Sequence, residues 1–160
     1  MKHYKLALIG FGNVARALAR LLVRKQSLLE QQGITFSFTG ISTGRHGFAV
    51  NPDGLDIQKA LELTESGQSI SSLSTTPVAD SLAVIKNSSA NVMFENSPVN
   101  TETGQPALDH MLTALNLGMH AITANKGFYY VPEGRMWVVG YPQAALEKAA
   151  KVYPPAIMTG

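Results

Sequence analysis

The chain has 160 residues, 45% hydrophobic and 15% charged, which is enough apolar side chain for one buried core and too much for a disordered tail. Thirteen Lys and Arg against eleven Asp and Glu give a net charge of +2, with the basic residues scattered, which excludes the concentrated positive stripe of a nucleic-acid binder. The absence of cysteine excludes disulfides, thiolate metal sites and thiol nucleophiles, and no apolar run nears the roughly 20 residues that span a bilayer.

Met1-Lys2-His3-Tyr4 passes straight into an apolar run and lacks the cleavage pattern of a signal peptide, so a cytoplasmic location is expected. Leu6 to Ile9 reads as a buried strand of a parallel sheet, and Gly10 and Gly12 mark a tight turn after it. From Asn13 to about Gln31 there is neither Gly nor Pro. Val14, Leu18, Leu21, Leu22 and Leu29 recur there at helical spacing, and Gly33 stops the helix. Ile34 to Ile41 alternates apolar and small polar residues as a second strand, which completes a right-handed βαβ unit. Ser42 to Asp56 reads as a long loop, followed by a short helix around Ile57 to Leu63, a polar stretch from Ser66 to Thr76 and a helix over Val78 to Lys86. Asn91 to Glu95 is a third strand, Gly104 to Leu117 an amphipathic helix ended by Gly118, and His120 to Ala124 a further strand. Beyond Lys126, Pro132 and Gly134 make a turn, Met136 to Val139 a strand, and Ala144 to Val152 a helix stopped by Pro154-Pro155. Strands alternating with helices give an α/β domain with a doubly wound parallel sheet.

Gly10-Phe11-Gly12-Asn13-Val14-Ala15 is a GxGxxA fingerprint in the context that gives it meaning, directly after a strand and opening a helix. Gly10 permits the turn, Gly12 lets the backbone approach a pyrophosphate, and Ala15 is small enough for close packing of helix on strand. The anion then meets unpaired N–H groups and the positive end of the helix dipole. The alternative is that the glycines merely end a strand. The end of the second strand selects the dinucleotide, because an acidic residue there bonds the ribose 2′-hydroxyl of NAD whereas an arginine favours the 2′-phosphate of NADP. Here Ser42-Thr43-Gly44-Arg45 carries no acid. A guanidinium pairs with phosphate bidentately and the Ser42 and Thr43 hydroxyls can donate to it, so NADP is favoured over NAD. The alternative is a solvated loop arginine.

Glu95-Asn96-Ser97-Pro98-Val99-Asn100-Thr101 follows a strand, and Thr123-Ala124-Asn125-Lys126-Gly127 ends the next one. In open parallel sheets ligands lie outside the carboxyl ends of the strands, so both segments are expected to line the same crevice as the glycine turn. A lysine there can hold a negatively polarised oxygen, or move a proton if burial lowers its pKa. Ala-Leu-Ile-Gly-Phe-Gly-Asn-Val, Thr-Gly-Ile-Ser-Thr-Gly-Arg-His-Gly, Glu-Asn-Ser-Pro-Val-Asn, Gly-Gln-Pro-Ala and Thr-Ala-Asn-Lys-Gly, in this order between Lys5 and Gly127, resemble the N-terminal nucleotide-binding domain of homoserine dehydrogenase. The resemblance implies a Rossmann-type NAD(P)-binding domain over 1–127 and a divergent C-terminal tail over 128–160. It offers no counterpart of the family's substrate- and dimer-forming domain within these residues.

The resemblance also implies interconversion of L-homoserine and L-aspartate 4-semialdehyde, small-molecule substrates on the route to threonine and methionine. The cofactor is NADP, with NAD as the other choice. Gly10, Phe11, Gly12, Asn13 and Val14 then hold the pyrophosphate, Arg45 the adenosine end, and Ser97 and Pro98 the nicotinamide. Lys126 is the catalytic candidate that accepts the hydroxyl proton or stabilises the alkoxide as hydride leaves. The alternatives are a non-catalytic dinucleotide-binding module and another Rossmann dehydrogenase of a small amino or hydroxy acid. His3, His46, His110 and His120 show no metal-ligand spacing, so no metal is expected, and His110 is placed on a helix surface. Glu102 and Asp109 are read as complements to a helix dipole, and Tyr129, Tyr130 and Trp137 as core packing or a homo-oligomer contact.

Overall fold

The computed structural model describes residues 1–98, 100 and 104–125, together with the backbone of a short strand at 137–138. Strands β1 (Lys2–Ile9), β2 (Ile34–Ser42), β3 (Phe48–Val50), β4 (Val92–Glu95), β5 (His120–Thr123) and β6 (Trp137–Val138) form one sheet in the order β3-β2-β1-β4-β5-β6. All neighbouring strands are parallel except β3, which runs antiparallel to β2. The chain winds outward from β1 to β3, then crosses back to β4 and winds the other way. The switch point therefore lies between β1 and β4.

Alternation along β1 divides the core in two. Leu6 and Leu8 face one layer with Phe38, Ala15, Ala19, Ala60 and Leu61, while Ala7 and Ile9 face the other with Met93, Val84, Ile85, Met111 and Ala114. Helices α1 (Asn13–Arg24) and α3 (Ile57–Glu65) thus cover one face of the sheet, and α4 (Ser81–Asn87) and α5 (Ala107–Asn116) the other. A strand buried on both faces has little room for polar residues, which is why the inner half of β1 reads as an unbroken apolar run. Among the described residues no helix is long and apolar enough to cross a membrane.

The expected helix from Asn13 to Gln31 is two helices. At Lys25 (φ −96°, ψ 4°) the backbone leaves helical geometry, and α2 (Gln26–Gln31) is redirected against β2. No Gly or Pro marks this break, because its cause is tertiary. The inward stripe of α1 also differs from the leucine pattern. Ala15 and Ala19 are fully buried with Leu18, Leu22 and Val23 around them, whereas Val14 is 58% exposed and Leu21 also faces out. Small residues let the helix approach the sheet closely.

The stretch from Ser42 to Asp56 is not wholly loop, because β3 pairs there with the end of β2. Three residues are too short to show a strand period. Helix α4 begins at Ser81 rather than Val78, since the Asp80 carboxylate accepts from the Ala83 amide at 2.7 Å and so sets the first turn. Asp56 caps α3 in the same way through the Lys59 amide. The strand expected at Met136 to Val139 is present at Trp137–Val138, and the turn at Pro132 and Gly134 and the helix over Ala144 to Val152 lie outside the described residues.

Candidate functional site

Four parallel strands end on one line. Ile9 is in register with Ser42 on one side and with Glu95 on the other, and Glu95 is in register with Thr123. The segments after them, Gly10–Gly12, Thr43–Gly47, Asn96–Pro98 and Ala124–Asn125, therefore emerge side by side along one edge of the sheet.

The glycine turn is built from its neighbours. The amides of Gly10 and Phe11 both donate to the Ser42 carbonyl, at 3.0 and 2.8 Å, and the Gly12 amide donates to the Gly10 carbonyl at 2.8 Å. Gly10 adopts φ +83°, and a Cβ there would lie 2.4 Å from the Ser97 nitrogen and 2.6 Å from Asn96 C. Only glycine lets these two backbones meet. Gly12 is different, because the position of its missing Cβ is open space. It is the N-cap of α1, with no side chain to cap the helix and no acidic residue in the first turn. Arg16 folds back over this end, its Nε reaching the Gly12 carbonyl at 3.4 Å and its Nη2 donating to Asn13 Oδ1 at 2.7 Å. An uncapped helix start with a guanidinium beside it is an electropositive site suited to an anion. Asn13 and Val14 are exposed beside Gly12, while the Phe11 ring is buried in the core and its amide is already bonded.

At the end of β2 the serine and threonine hydroxyls have internal partners. Ser42 Oγ lies 2.5 Å from Ser81 Oγ, and Thr43 Oγ1 donates to the Gly47 carbonyl while accepting from the His46 amide. Both residues are buried, so they frame the turn, and Arg45 is the exposed cation on it. After β4, Ser97 is buried and Pro98 exposed. Lys126 and Glu102 lie outside the described residues.

The sequence reading missed a buried polar cluster. The Glu95 carboxylate is fully buried and accepts at Oε1 from the Ser97 amide (3.2 Å), from the Ser97 hydroxyl and from His110 Nδ1 (3.1 Å). Its Oε2 accepts from the Asn125 side-chain amide, which also donates to the Ser97 carbonyl at 2.8 Å. His110 is therefore not on the helix surface. It sits with Ala107, Met111 and Ala114 on the buried stripe of α5, and that spacing of three, four and seven residues was the available signal. Beside this cluster, Asn96 Nδ2 is buried without a hydrogen-bond partner among the described residues.

No protein-family model matches the chain. The homoserine dehydrogenase of Methanocaldococcus jannaschii is 36% identical over 121 residues, covering 75% of this chain and 36% of the relative. An NAD(+)-dependent homoserine dehydrogenase of Pseudomonas canavaninivorans is 38% identical over 130 residues, covering 79% of this chain and 37% of the relative. Among solved structures, a putative homoserine dehydrogenase from Archaeoglobus fulgidus superposes with a TM-score of 0.62 at 25% identity, over 78% of this chain and 35% of that one. A hyperthermophilic archaeal homoserine dehydrogenase in complex with NADPH shares the fold, with a TM-score of 0.61 at 23% identity over 78% of this chain and 36% of that one. The chain spans a little over a third of the length of these curated relatives, and over their N-terminal part it is a homologue of the homoserine dehydrogenases.

Proposed function

We propose that the crevice beyond β1, β2 and β4 holds a nicotinamide dinucleotide, and that this chain is the cofactor-binding part of a homoserine dehydrogenase-like oxidoreductase. The amino end of α1 carries the reading. It is uncapped, free of acid in its first turn and flanked by Arg16, and Gly12 leaves open space in front of it at the switch point of the sheet. The Asn96 amide next to Gly10, buried and without a partner among the described residues, fits the same picture as a donor that a bound group would satisfy.

Bound there, the dinucleotide supplies the acceptor or donor of hydride. The amides at the start of α1, from Asn13 and Val14, hold the pyrophosphate, and Gly10 and Phe11 shape the turn that presents them. Arg45 pairs with the 2′-phosphate, with Ser42 and Thr43 as its frame, and the absence of an acid at the end of β2 favours NADP over NAD. Ser97 and Pro98 flank the nicotinamide. Lys126, which follows Asn125 directly, takes the hydroxyl proton of L-homoserine or stabilises the alkoxide on the way to L-aspartate 4-semialdehyde. Residues 1–127 act as the nucleotide-binding unit and 128–160 as a divergent tail whose strand β6 joins the same sheet, in a cytoplasmic enzyme of small metabolites.

Titration of the 160-residue chain with NADPH and NADH, followed by homoserine-dependent reduction of NADP, tests this reading. The expectation is tighter binding of NADPH than of NADH, and turnover that disappears in Lys126→Ala. A chain that binds neither nucleotide refutes the site, and turnover unaffected by Lys126→Ala refutes the role of the lysine.

A further inference from the structure

We infer that Glu95 is a positioning residue for the nicotinamide half of the crevice, clasping the loop after β4 to the loop after β5; this rests on the dinucleotide reading above. A carboxylate at a fully buried strand end is costly, and an apolar side chain of similar volume would serve the fold as well or better. What the carboxylate adds is connection. Its two oxygens accept from the Ser97 amide and hydroxyl, from His110 on α5 and from the Asn125 amide, so one side chain ties its own loop to α5 and to the loop after β5. With the Glu95 oxygen as acceptor, the ring nitrogen that faces it is the Nδ1–H of His110. Asn125 closes the clasp by donating to the Ser97 carbonyl, and the Ser97 backbone in turn packs on Gly10.

The adenosine end is built separately. The Thr43–Gly47 turn that carries Arg45 follows β2, on the far side of β1, and is held by Thr43 Oγ1 and by the Gly47 carbonyl. Its hydrogen bonds run within the turn, between Thr43, His46 and Gly47, and outward from the Ile70 amide to the His46 carbonyl. A fault in the clasp should therefore loosen the nicotinamide end and leave the adenosine end unchanged.

Glu95→Gln keeps the volume and turns one acceptor into a donor, which must then face either the Asn125 amide or the Ser97 and His110 donors. Affinities for NADPH and for 2′,5′-ADP, which has no nicotinamide half, are measured on the same preparations. The expected result is a loss of about tenfold for NADPH with 2′,5′-ADP within twofold of the parent chain. Unchanged NADPH affinity, or parallel losses for both ligands, overturns the positioning role, since a merely structural fault would not separate the two halves. Should Glu95→Gln fail to fold, Asn125→Ala cuts only the partly exposed leg of the clasp and is expected to show the same split at about threefold. Equal losses or none in that variant overturn the inference as well. A parent chain that binds neither ligand refutes the dinucleotide reading itself, a result distinct from all of these.

Discussion

Gly10 and Gly12 belong to one motif, but the structure gives them different work, and alanine at each position separates the two. At Gly10 alanine would be forced into φ +83°, which costs about 1–2 kcal/mol for an L residue. Its Cβ would also lie 2.4 Å from the Ser97 nitrogen and 2.6 Å from Asn96 C and Ser97 Cα. Those backbone atoms are held by the Asn96 amide on the Ile9 carbonyl at 2.7 Å and by the Ser97 amide on Glu95, so relief requires moving the loop, at about 1–3 kcal/mol more. The sum is about 2–5 kcal/mol. With a urea m-value of about 2 kcal/mol per molar, the unfolding midpoint should fall by about 1–2.5 M.

Gly12 has ordinary dihedrals, φ −88° and ψ −158°, and nothing near its Cβ position. Alanine there costs about 0.5–1 kcal/mol as a poorer N-cap, a midpoint shift of about 0.25–0.5 M. Its methyl group, however, would occupy the space where the proposed site brings a pyrophosphate to the helix, so NADPH affinity should fall at least tenfold, about 1.4 kcal/mol. Urea unfolding followed by circular dichroism and NADPH fluorescence titration on both variants read the two effects. Gly12→Ala binding NADPH like the parent chain would refute the assignment of the anion site, and Gly10→Ala unfolding at the parent midpoint would refute the packing argument.

If the exposed Arg45 guanidinium serves the 2′-phosphate as proposed, Arg45→Ala should weaken NADPH about tenfold and NADH less than twofold; equal weakening in parallel titrations counts against NADP selection by this residue. Ser42→Ala removes the hydroxyl bonded to Ser81 but keeps the carbonyl that holds the glycine turn, so stability should drop by about 1 kcal/mol while NADPH affinity stays within twofold. A large loss of NADPH affinity there would mean that the hydroxyl turns to the ligand. Asp80→Ala removes the cap of α4 and should cost about 1 kcal/mol in urea unfolding, with no effect on nucleotide binding; an unchanged midpoint would show that packing alone sets the start of the helix.

Much of the fold was legible because it rests on local chemistry. The unbroken apolar half of β1, the glycines after it and the alternation in β2 each encode their own geometry within a few residues. The pairing of switch point and glycine motif follows from them. What escaped depends on contacts between distant segments. Nothing local turns the chain at Lys25, and three residues at Phe48–Val50 carry no period, so α2 and β3 depend on tertiary contacts, with β2 a neighbour of both. Helix α4 is an exception that local chemistry did contain, since Asp80 three residues before the Ala83 amide is a capping signal that outranks Pro77 as a start.

The clasp around Glu95 was hidden for the same reason, since beyond the neighbouring Ser97 its partners stand 15 and 30 residues away. Two periodicities nevertheless converge on it. Along β4, Glu95 shares a face with Met93, which is buried in the layer beneath α5, and along α5 His110 falls on the stripe of Ala107, Met111 and Ala114. An acid on the buried face of a strand and a histidine on the buried face of the helix above it have no cheaper partners than each other. Local rules are broken here three times within a few residues, by a glycine at positive φ, by an asparagine amide with no partner among the described residues and by a buried carboxylate. All three lie where β1 and β4 diverge. Each of these is costly to a fold built for stability alone, whereas a site that must present fixed donors to a bound group has a use for all three.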